Sequence, residues 1–209
     1  MNGKGTRIAT FVRLPLYRNH LRSLSPMPEH ISAAAIAGAL GFGEVQVRKD
    51  LALVFGGGRP RTGYVTKDLL AGLESVLERR GAGDAVLVGA GKIGRALMEF
   101  DGFTSYGIEI IAGFDNDPAV LGKTDSGKDI FDLSKLPAFC KKHKVRVGVI
   151  AVPDDQAQAV CDMLVKAGVQ AIWCFTAVRL NLPENIIVRY ENLAASLAAI
   201  FARLDGLTV

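Results

Sequence analysis

Asp84-Ala-Val-Leu-Val-Gly89-Ala90-Gly91-Lys92-Ile93-Gly94-Arg95-Ala96-Leu97-Met98 is the stretch from which the rest of the chain is read. Ala85 to Val88 is an apolar run and predicts a buried strand. It runs directly into Gly89-x-Gly91-x-x-Gly94, and a helical pattern follows. Glycines at that spacing, between a strand and a helix, fit a turn that receives a dinucleotide. Gly89 allows the tight turn, Gly91 lets the backbone approach a pyrophosphate, and Gly94 lets the helix lie close on the strand. The start of the helix adds unpaired N–H groups and the positive end of a dipole.

Downstream, Glu109 to Phe114 reads as a second strand that ends at Asp115, 21 residues beyond Gly94. An acid about 20 residues past the glycines bonds the ribose hydroxyls in such folds. A carboxylate there repels a 2′-phosphate, so NAD(H) is expected over NADP(H). Asp115-Asn-Asp-Pro118 would also suit a plain turn; its place at a strand end, after the glycines, favours the nucleotide role. Ile130-Phe131 predicts a short third strand and Leu133 to His143 a helix. Val145 to Pro153 reads as a buried parallel strand. Asp155 is a candidate cap for a helix from Gln156 to Ala167, which Gly168 ends. Ala171 to Phe175 and Ile186 to Val188 are the remaining strands. Strands alternating with helices imply a parallel sheet with right-handed crossovers. Ligands of such sheets sit beyond the carboxyl ends of the strands. That places Gly89 to Gly94, Asp115, Ala151 to Pro153, and Phe175 with Thr176 around one crevice. In the tail, Asn192 to Leu204 reads as a helix with an apolar stripe of Leu193, Leu197, Ile200, Phe201 and Leu204. The stripe suits packing on its own domain or against a partner chain.

The charge lies upstream. Residues 1–80 hold 12 Lys and Arg against 6 Asp and Glu, a balance of +6; residues 81–209 hold 13 against 15, a balance of −2. Such asymmetry suggests a nucleic-acid module joined to a neutral or acidic one. Residues 1–13 read as a loose arm, and a first helix is expected from Leu14, with Pro15 in its opening turn. Ser32 is a good cap for a helix over Ala33 to Leu40. Gly41-Phe-Gly43 is a turn, and Glu44 to about Phe55 forms a third helix whose inner face is Val47, Leu51 and Val54. Two short helices joined by a glycine turn are the helix-turn-helix pattern. Gln46, Arg48 and Lys49 lie off the apolar stripe. Gln46 is near the helix start, where base edges are read. A Gln can pair with adenine and an Arg with guanine; Lys49 suits phosphate. A merely solvated helix face would carry the same residues. The next segment favours the DNA reading: Gly56-Gly-Gly-Arg59-Pro60-Arg61-Thr-Gly-Tyr64 is a glycine-rich tip that looks like a wing. It offers Arg59 and Arg61 to phosphates or the minor groove. No Gly-Lys-Ser/Thr follows, so it is not a nucleotide P-loop. Thr66 is expected to cap a helix over Lys67 to Arg80, and Gly81-Ala-Gly83 marks a boundary.

Several classes are disfavoured. With 209 residues, 49% hydrophobic and 22% charged, the chain can bury a core. No apolar run approaches the roughly 20 residues of a membrane span. Met1 to Arg7 is polar with no apolar run after it, so no secretory signal, no membrane partner and a cytoplasmic location are expected. Cys140, Cys161 and Cys174 lack metal-ligand spacing, so no metal is predicted. A small NAD-dependent oxidoreductase would need an acid–base group near the nicotinamide. His20 and His30 lie in the upstream module and His143 at a Lys-rich helix end, none after a strand. No catalytic residue is therefore assigned.

Leu14-Pro-Leu-Tyr17, Gln46-Val-Arg-Lys-Asp-Leu51, Thr62-Gly-Tyr64, Val88-Gly-Ala-Gly-Lys-Ile-Gly-Arg-Ala-Leu97, Gly102-Phe103, Phe114-Asp-Asn-Asp-Pro118, Ile150-Ala-Val-Pro153 and Glu191-Asn-Leu-Ala194 follow one another in the chain. Together they resemble the Rex family of bacterial redox-sensing repressors, over nearly the whole length. The resemblance implies a homodimer that binds operator DNA through winged helices, senses NADH against NAD⁺ in Rossmann domains, leaves DNA when NADH binds, and links its subunits by a swapped C-terminal helix. It implies an α/β fold with a winged-helix domain over residues 1–80, a Rossmann-like parallel-sheet domain over 84–190 and a dimerisation helix over 191–209. The expected NAD(H) contacts are Gly89, Ala90, Gly91, Lys92, Ile93, Gly94, Asp115, Asn116, Ala151, Val152, Pro153, Phe175 and Thr176; the expected DNA contacts are Gln46, Arg48, Lys49, Arg59 and Arg61. The chain departs from the family at a switching network of Arg, Tyr and Asp, where it carries Asn19, Phe100 and Asn192. Cys174-Phe-Thr-Ala177 and Leu193 also depart from the family's residues near the nicotinamide. A divergent paralogue with a changed NADH response is thus a second expectation.

Overall fold

The computed structural model describes residues 3–59, 61–78 and 83–206. The chain divides into two compact units, Met1–Ala82 with Gly102–Gly107, and Gly83–Asp101 with Ile108–Val209.

The first unit contains α1 (Gly3–Ser23), β1 (His30–Ile31), α2 (Ala33–Leu40), α3 (Glu44–Val54), β2 (Tyr64–Val65) and α4 (Thr66–Glu78). Helix α1 begins well before Leu14, so the expectation of a loose arm over residues 1–13 is corrected from Gly3 onward. Thr10, Leu14, Tyr17 and Leu21 recur at helical spacing and are all buried. Thr10 and Arg13 are tied to Asp50 on α3, which extends the helix backwards past Pro15. Pro15 therefore lies inside α1 rather than in its first turn, and it cannot donate to the Phe11 carbonyl. Leu14, Tyr17, Leu21, Ile36, Val47, Leu51, Leu69 and Leu73 form a fully buried core.

Ser32 caps α2 by accepting from the Ala35 N–H at 3.0 Å. Gly41, at φ +69°, closes that helix. β1 and β2 pair antiparallel, His30 with Val65 and Ile31 with Tyr64. Ahead of β2 the chain doubles back through reciprocal backbone bonds between Arg59 and Gly63, at 2.8 and 2.9 Å. Gly63 sits at φ +79°, and a Cβ there would lie 2.4 Å from the Ile31 carbonyl oxygen. Thr66 does not cap α4. Its N–H is committed to the Glu29 carbonyl at the end of the β1–β2 ladder, it forms the first residue of the helix, and its hydroxyl is buried with no partner among the described residues.

The second unit contains β3 (Gly83–Val88), α5 (Lys92–Met98), β4 (Ile108–Asp115), β5 (Gly122–Lys123), β6 (Asp129–Asp132), α6 (Leu136–His143), β7 (Val147–Ile150), α7 (Ala157–Lys166), β8 (Ala171–Cys174), β9 (Ile187–Tyr190) and α8 (Leu193–Leu204). The sheet order is β5-β6-β4-β3-β7-β8-β9. Only β5 runs antiparallel to its neighbour. Without that edge hairpin the order is the doubly wound one, which reverses direction beside β3. Val86, Val88, Ala112, Phe114, Ile150, Leu164 and Ile172 fill its core. Asp155 does not cap α7: a 3-10 turn over Asp154–Gln156 precedes the helix, which has no side-chain cap, and the neighbouring Asp154 accepts from the Ala177 N–H after β8 at 3.1 Å. Gly168, at φ +93°, ends α7 as the sequence suggests.

Helix α8 starts on Asn192, whose Oδ1 accepts from the Ala195 N–H at 2.8 Å. It buries none of its residues; Leu193, Leu197, Ile200 and Phe201 are each 57–60% exposed. Among the described residues no helix is long and apolar enough to cross a membrane.

Candidate functional site

In the second unit the chain leaves β3 and β7 in opposite directions, and a crevice opens at their carboxyl ends. It encloses about 240 Å³ and is lined by Gly89, Gly91, Asp115, Asn116, Ala151, Val152 and Pro153, with Val88, Leu133, Gln156 and Val160 behind them. The three glycines answer to different constraints. Gly89 lies at φ +101°, and a Cβ on it would sit 2.5 Å from the Ala151 carbonyl oxygen. A Cβ on Gly94 would sit 1.9 Å from the Gly89 carbonyl oxygen. A Cβ on Gly91 would meet nothing within 4 Å. Gly89 and Gly94 are thus demanded by the fold. Gly91 keeps open a space that the protein does not use, at the point where a pyrophosphate approaches the backbone.

Asp115 ends β4 and faces this turn. Its Oδ2 accepts from the Ala90 N–H at 2.7 Å and its Oδ1 from the Asp117 N–H at 3.0 Å. The carboxylate therefore fixes the glycine turn and stands ready for hydroxyls on its remaining lone pairs. Arg95 braces the same turn, through Nε to the Ala90 carbonyl at 3.2 Å and Nη2 to the Val120 carbonyl at 2.8 Å. Sequence reasoning passed over Arg95; its place directly after the third glycine was the available signal. Lys92 and Ile93 are exposed on the first turn of α5. Phe175 and Thr176 follow β8 and do not line the cavity; Thr176 is buried, with its Oγ1 3.1 Å from Cys174 Sγ. Asp115 is the one ionisable group lining the crevice among the described residues. Cys140 and Cys161 are buried, and that burial pushes their thiols up to about 11, which suits core residues and not nucleophiles. The crevice has an open glycine turn at one side and a single carboxylate, Asp115, beside it.

The first unit carries a second concavity, of about 360 Å³, between the start of α3 and the hairpin before β2. Arg48, Arg59 and Arg61 line it, together with Ser32, Glu44, Gly58, Gly63 and Tyr64. Arg48 is paired with Glu44 one turn earlier. Arg59 and Arg61 are exposed and have no carboxylate partner among the described residues. Arg61 holds φ +66°, a conformation that costs a non-glycine residue about 1 kcal/mol or more and turns the tip back towards Gly63. Lys49 is exposed on α3. Gln46 is exposed too, yet its Nε2 donates to Asp50 Oδ1 at 3.0 Å.

Asp50 is the functional-region residue that sequence reasoning missed. It is wholly buried and accepts from Thr10 Oγ1 (2.7 Å), Arg13 Nε (2.6 Å), Arg13 Nη2 (2.9 Å) and the Tyr17 hydroxyl (2.7 Å) as well as Gln46. Burial pushes its carboxyl up, but the bonds from Arg13, Tyr17, Thr10 and Gln46 outweigh that and hold it below the usual carboxylate value. The signal was a carboxylate among Val47, Leu51 and Val54, on the apolar face of a helix.

Two family models match the chain, one described as a putative DNA-binding protein N-terminus over residues 8–52 and one as a CoA binding domain over residues 82–178. The redox-sensing transcriptional repressor Rex of Porphyromonas gingivalis is 35% identical over 95% of this chain and 91% of its own length. The chain belongs to the Rex family. A crystal structure of RSP, in complex with β-NAD⁺ and operator DNA, matches with a TM-score of 0.80 and 29% identity over 95% of this chain and 92% of that one. RSP in complex with β-NADH matches with a TM-score of 0.74 at the same identity, over 95% and 93%.

At the three positions where the resemblance implies a switching network, each residue is otherwise engaged or exposed. Asn19 Oδ1 accepts from Arg18 Nε at 3.2 Å and Nη2 at 2.9 Å. Arg18 is 9% exposed; burial, then Arg22, draws its guanidinium below its ordinary value, with Glu74 opposing. Asn192 is spent on capping α8, and Phe100 is 57% exposed.

Proposed function

We propose that this Rex-family chain is a homodimeric, DNA-binding transcriptional repressor that reports the balance of NADH and NAD⁺. NAD(H) is assigned to the crevice of residues 84–190, on Gly89 to Gly94, Asp115, Asn116 and Ala151 to Pro153; Phe175 and Thr176, expected as contacts, follow β8 outside the cavity lining. Operator DNA is assigned to residues 1–80, with Arg48, Lys49, Arg59 and Arg61 on phosphates or guanine and Gln46 on a base edge. The observation that supports this most is the pairing, in one chain, of an arginine-lined groove with a crevice whose Gly91 keeps space the fold does not need. NADH shifts operator affinity only so far as it binds the free and DNA-bound states unequally. Such a regulator works beside the chromosome, in the cytoplasm of bacteria like those that hold its relatives.

Fluorescence anisotropy with duplexes tiled over promoter DNA tests the reading. Specific, salt-sensitive binding that NADH weakens more than NAD⁺ is expected; binding to no duplex in preference to any other would sink it. Arg61→Ala should weaken binding to all duplexes alike and lower the slope of log affinity against log salt by about 1. A divergent paralogue is the second reading, favoured by the missing hydroxyl of Phe100 and the neutral cap Asn192. It predicts a weak response with similar affinities for NADH and NAD⁺, which the same titration separates.

The swapped dimer reading rests on α8, whose stripe of Leu193, Leu197, Ile200 and Phe201 is exposed among the described residues. Ile200→Asp should convert the dimer to monomer in sedimentation. A variant that sediments with the parent would place the dimer contact elsewhere.

A further inference from the structure

The bond from Gln46 to Asp50 is more than Asp50 needs. A carboxylate offers about four lone-pair sites, and Thr10, Arg13 and Tyr17 already supply four hydrogen bonds to it. Asp50 is buried at the heart of the α1–α3 contact and would be satisfied without Gln46. The fifth bond acts in the other direction, on the glutamine.

An ionised carboxylate only accepts. The end of the Gln46 amide turned towards Asp50 is therefore its NH₂ group, and the amide cannot turn over without setting Oε1 against a negative charge. Oε1 has no partner among the described residues, and the side chain is exposed on the outer face of α3. A glutamine on a plain helix surface would sample both orientations and many rotamers. This one is held in a single orientation before any ligand arrives, which lowers the ordering cost of a later contact.

We propose that Asp50 is a positioning residue for base recognition: by holding Nε2 of Gln46 it turns Oε1 and the second N–H outward, the pattern that pairs with the exocyclic amine and N7 of adenine. Guanine presents O6 and N7, both acceptors, so it would set O6 against Oε1. Adenine is accepted and guanine rejected at one base pair per half-site. The inference rests on the DNA-binding reading of the first unit.

The test uses the full chain and a pool of duplexes with a randomised core, separated by gel shift and sequenced. The parent should enrich adenine over guanine at one position per half-site by about tenfold or more. Gln46→Met should keep the rest of the profile and lose that preference alone. In Asp50→Asn the NH₂ that replaces Oδ1 faces Gln46, and the remaining carbonyl keeps Arg13 through Nε alone, at the loss of the Nη2 bond. The glutamine amide then turns over to accept, presents two N–H groups outward, and the preference moves from adenine towards guanine. A purely structural Asp50 would lower affinity for every sequence with the profile unchanged, and that result overturns the proposal. So does a parent profile that Gln46→Met leaves intact. A parent that enriches no sequence would instead bring down the DNA-binding reading itself. Should Asp50→Asn not fold, NMR of the parent decides: the side-chain amide of Gln46, assigned by its loss in Gln46→Met, should exchange slowly in the absence of DNA. Fast, averaged exchange overturns the proposal.

Discussion

Gly91→Ala should fold as the parent does and lose NADH affinity by about tenfold to a hundredfold, whereas Gly94→Ala should strongly destabilise its second unit. The difference comes from what each new methyl group meets. At Gly91 it meets nothing within 4 Å, so the empty protein accepts it without adjustment. A bound pyrophosphate would occupy that space, and overpacking by one methyl group costs about 1–3 kcal/mol, with each 1.4 kcal/mol about a factor of ten in affinity. At Gly94 the methyl lies 1.9 Å from the Gly89 carbonyl oxygen, 3.0 Å from the Gly89 carbonyl carbon and 2.9 Å from Leu87 Cδ2. Two of those three atoms are backbone, and Gly89 is tied in place by its N–H, which donates to the Phe114 carbonyl at 2.9 Å. The destabilisation should reach about 3 kcal/mol or more. Thermal unfolding followed by circular dichroism, with NADH titration of whatever folds, checks both. A Gly91→Ala protein that binds NADH at full strength would show that no phosphate passes there; an unchanged melting temperature for Gly94→Ala would show that the turn can open.

That turn was legible in the sequence because its constraint is local. Three glycines within six residues, between a strand and a helix, leave few other structures. The parallel sheet followed from the alternation of strands and helices, which is a property of the chain and not of particular contacts; the order of its strands did not. Other features escaped for the opposite reason. The first turns of α1 hold Gly3-Lys-Gly-Thr, a poor helical sequence, and their anchor at Asp50 is 40 residues from Thr10. Two residues, His30 and Ile31, carry no periodicity, so the partner strand of the hairpin was invisible. That pairing runs straight into the first residue of α4, Thr66, whose hydroxyl finds no partner among the described residues, so the cap read there is not formed. In the first unit the arginines were readable by composition and by their glycine-rich setting. The restraint on Gln46 was not, because it depends on which end of an amide meets a buried charge.

Asp50→Ala should destabilise the first unit by about 3 kcal/mol, since removing one member of a buried, bonded pair leaves the other uncompensated. The Tyr17 side chain is fully buried, and its hydroxyl would lose its acceptor along with Arg13 and Thr10. The same network should shape stability against pH at both ends. Asp50 is held below its ordinary value, so the unfolded chain takes up a proton near pH ~4 while the folded one does not; the contribution is complete above that pH and is lost as pH falls through the folded value. Tyr17 is shifted upward, by burial first and then by the bond to Asp50 and its charge. The unfolded chain loses that proton near pH ~10 while the folded one keeps it. That contribution is complete below pH ~10 and is lost as pH rises through the folded value. Hydrogen exchange of the α3 amides across pH should therefore show protection that falls at both extremes. Asp50→Ala should remove the acid limb attributable to this site, and Tyr17→Phe the alkaline one. Protection in Asp50→Ala equal to that of the parent would mean that Leu14, Leu21, Val47 and Leu51 hold α1 on α3 unaided. In that event α3 would keep its place without the buried charge, and the orientation of Gln46 would be the one remaining reason for a carboxylate at position 50.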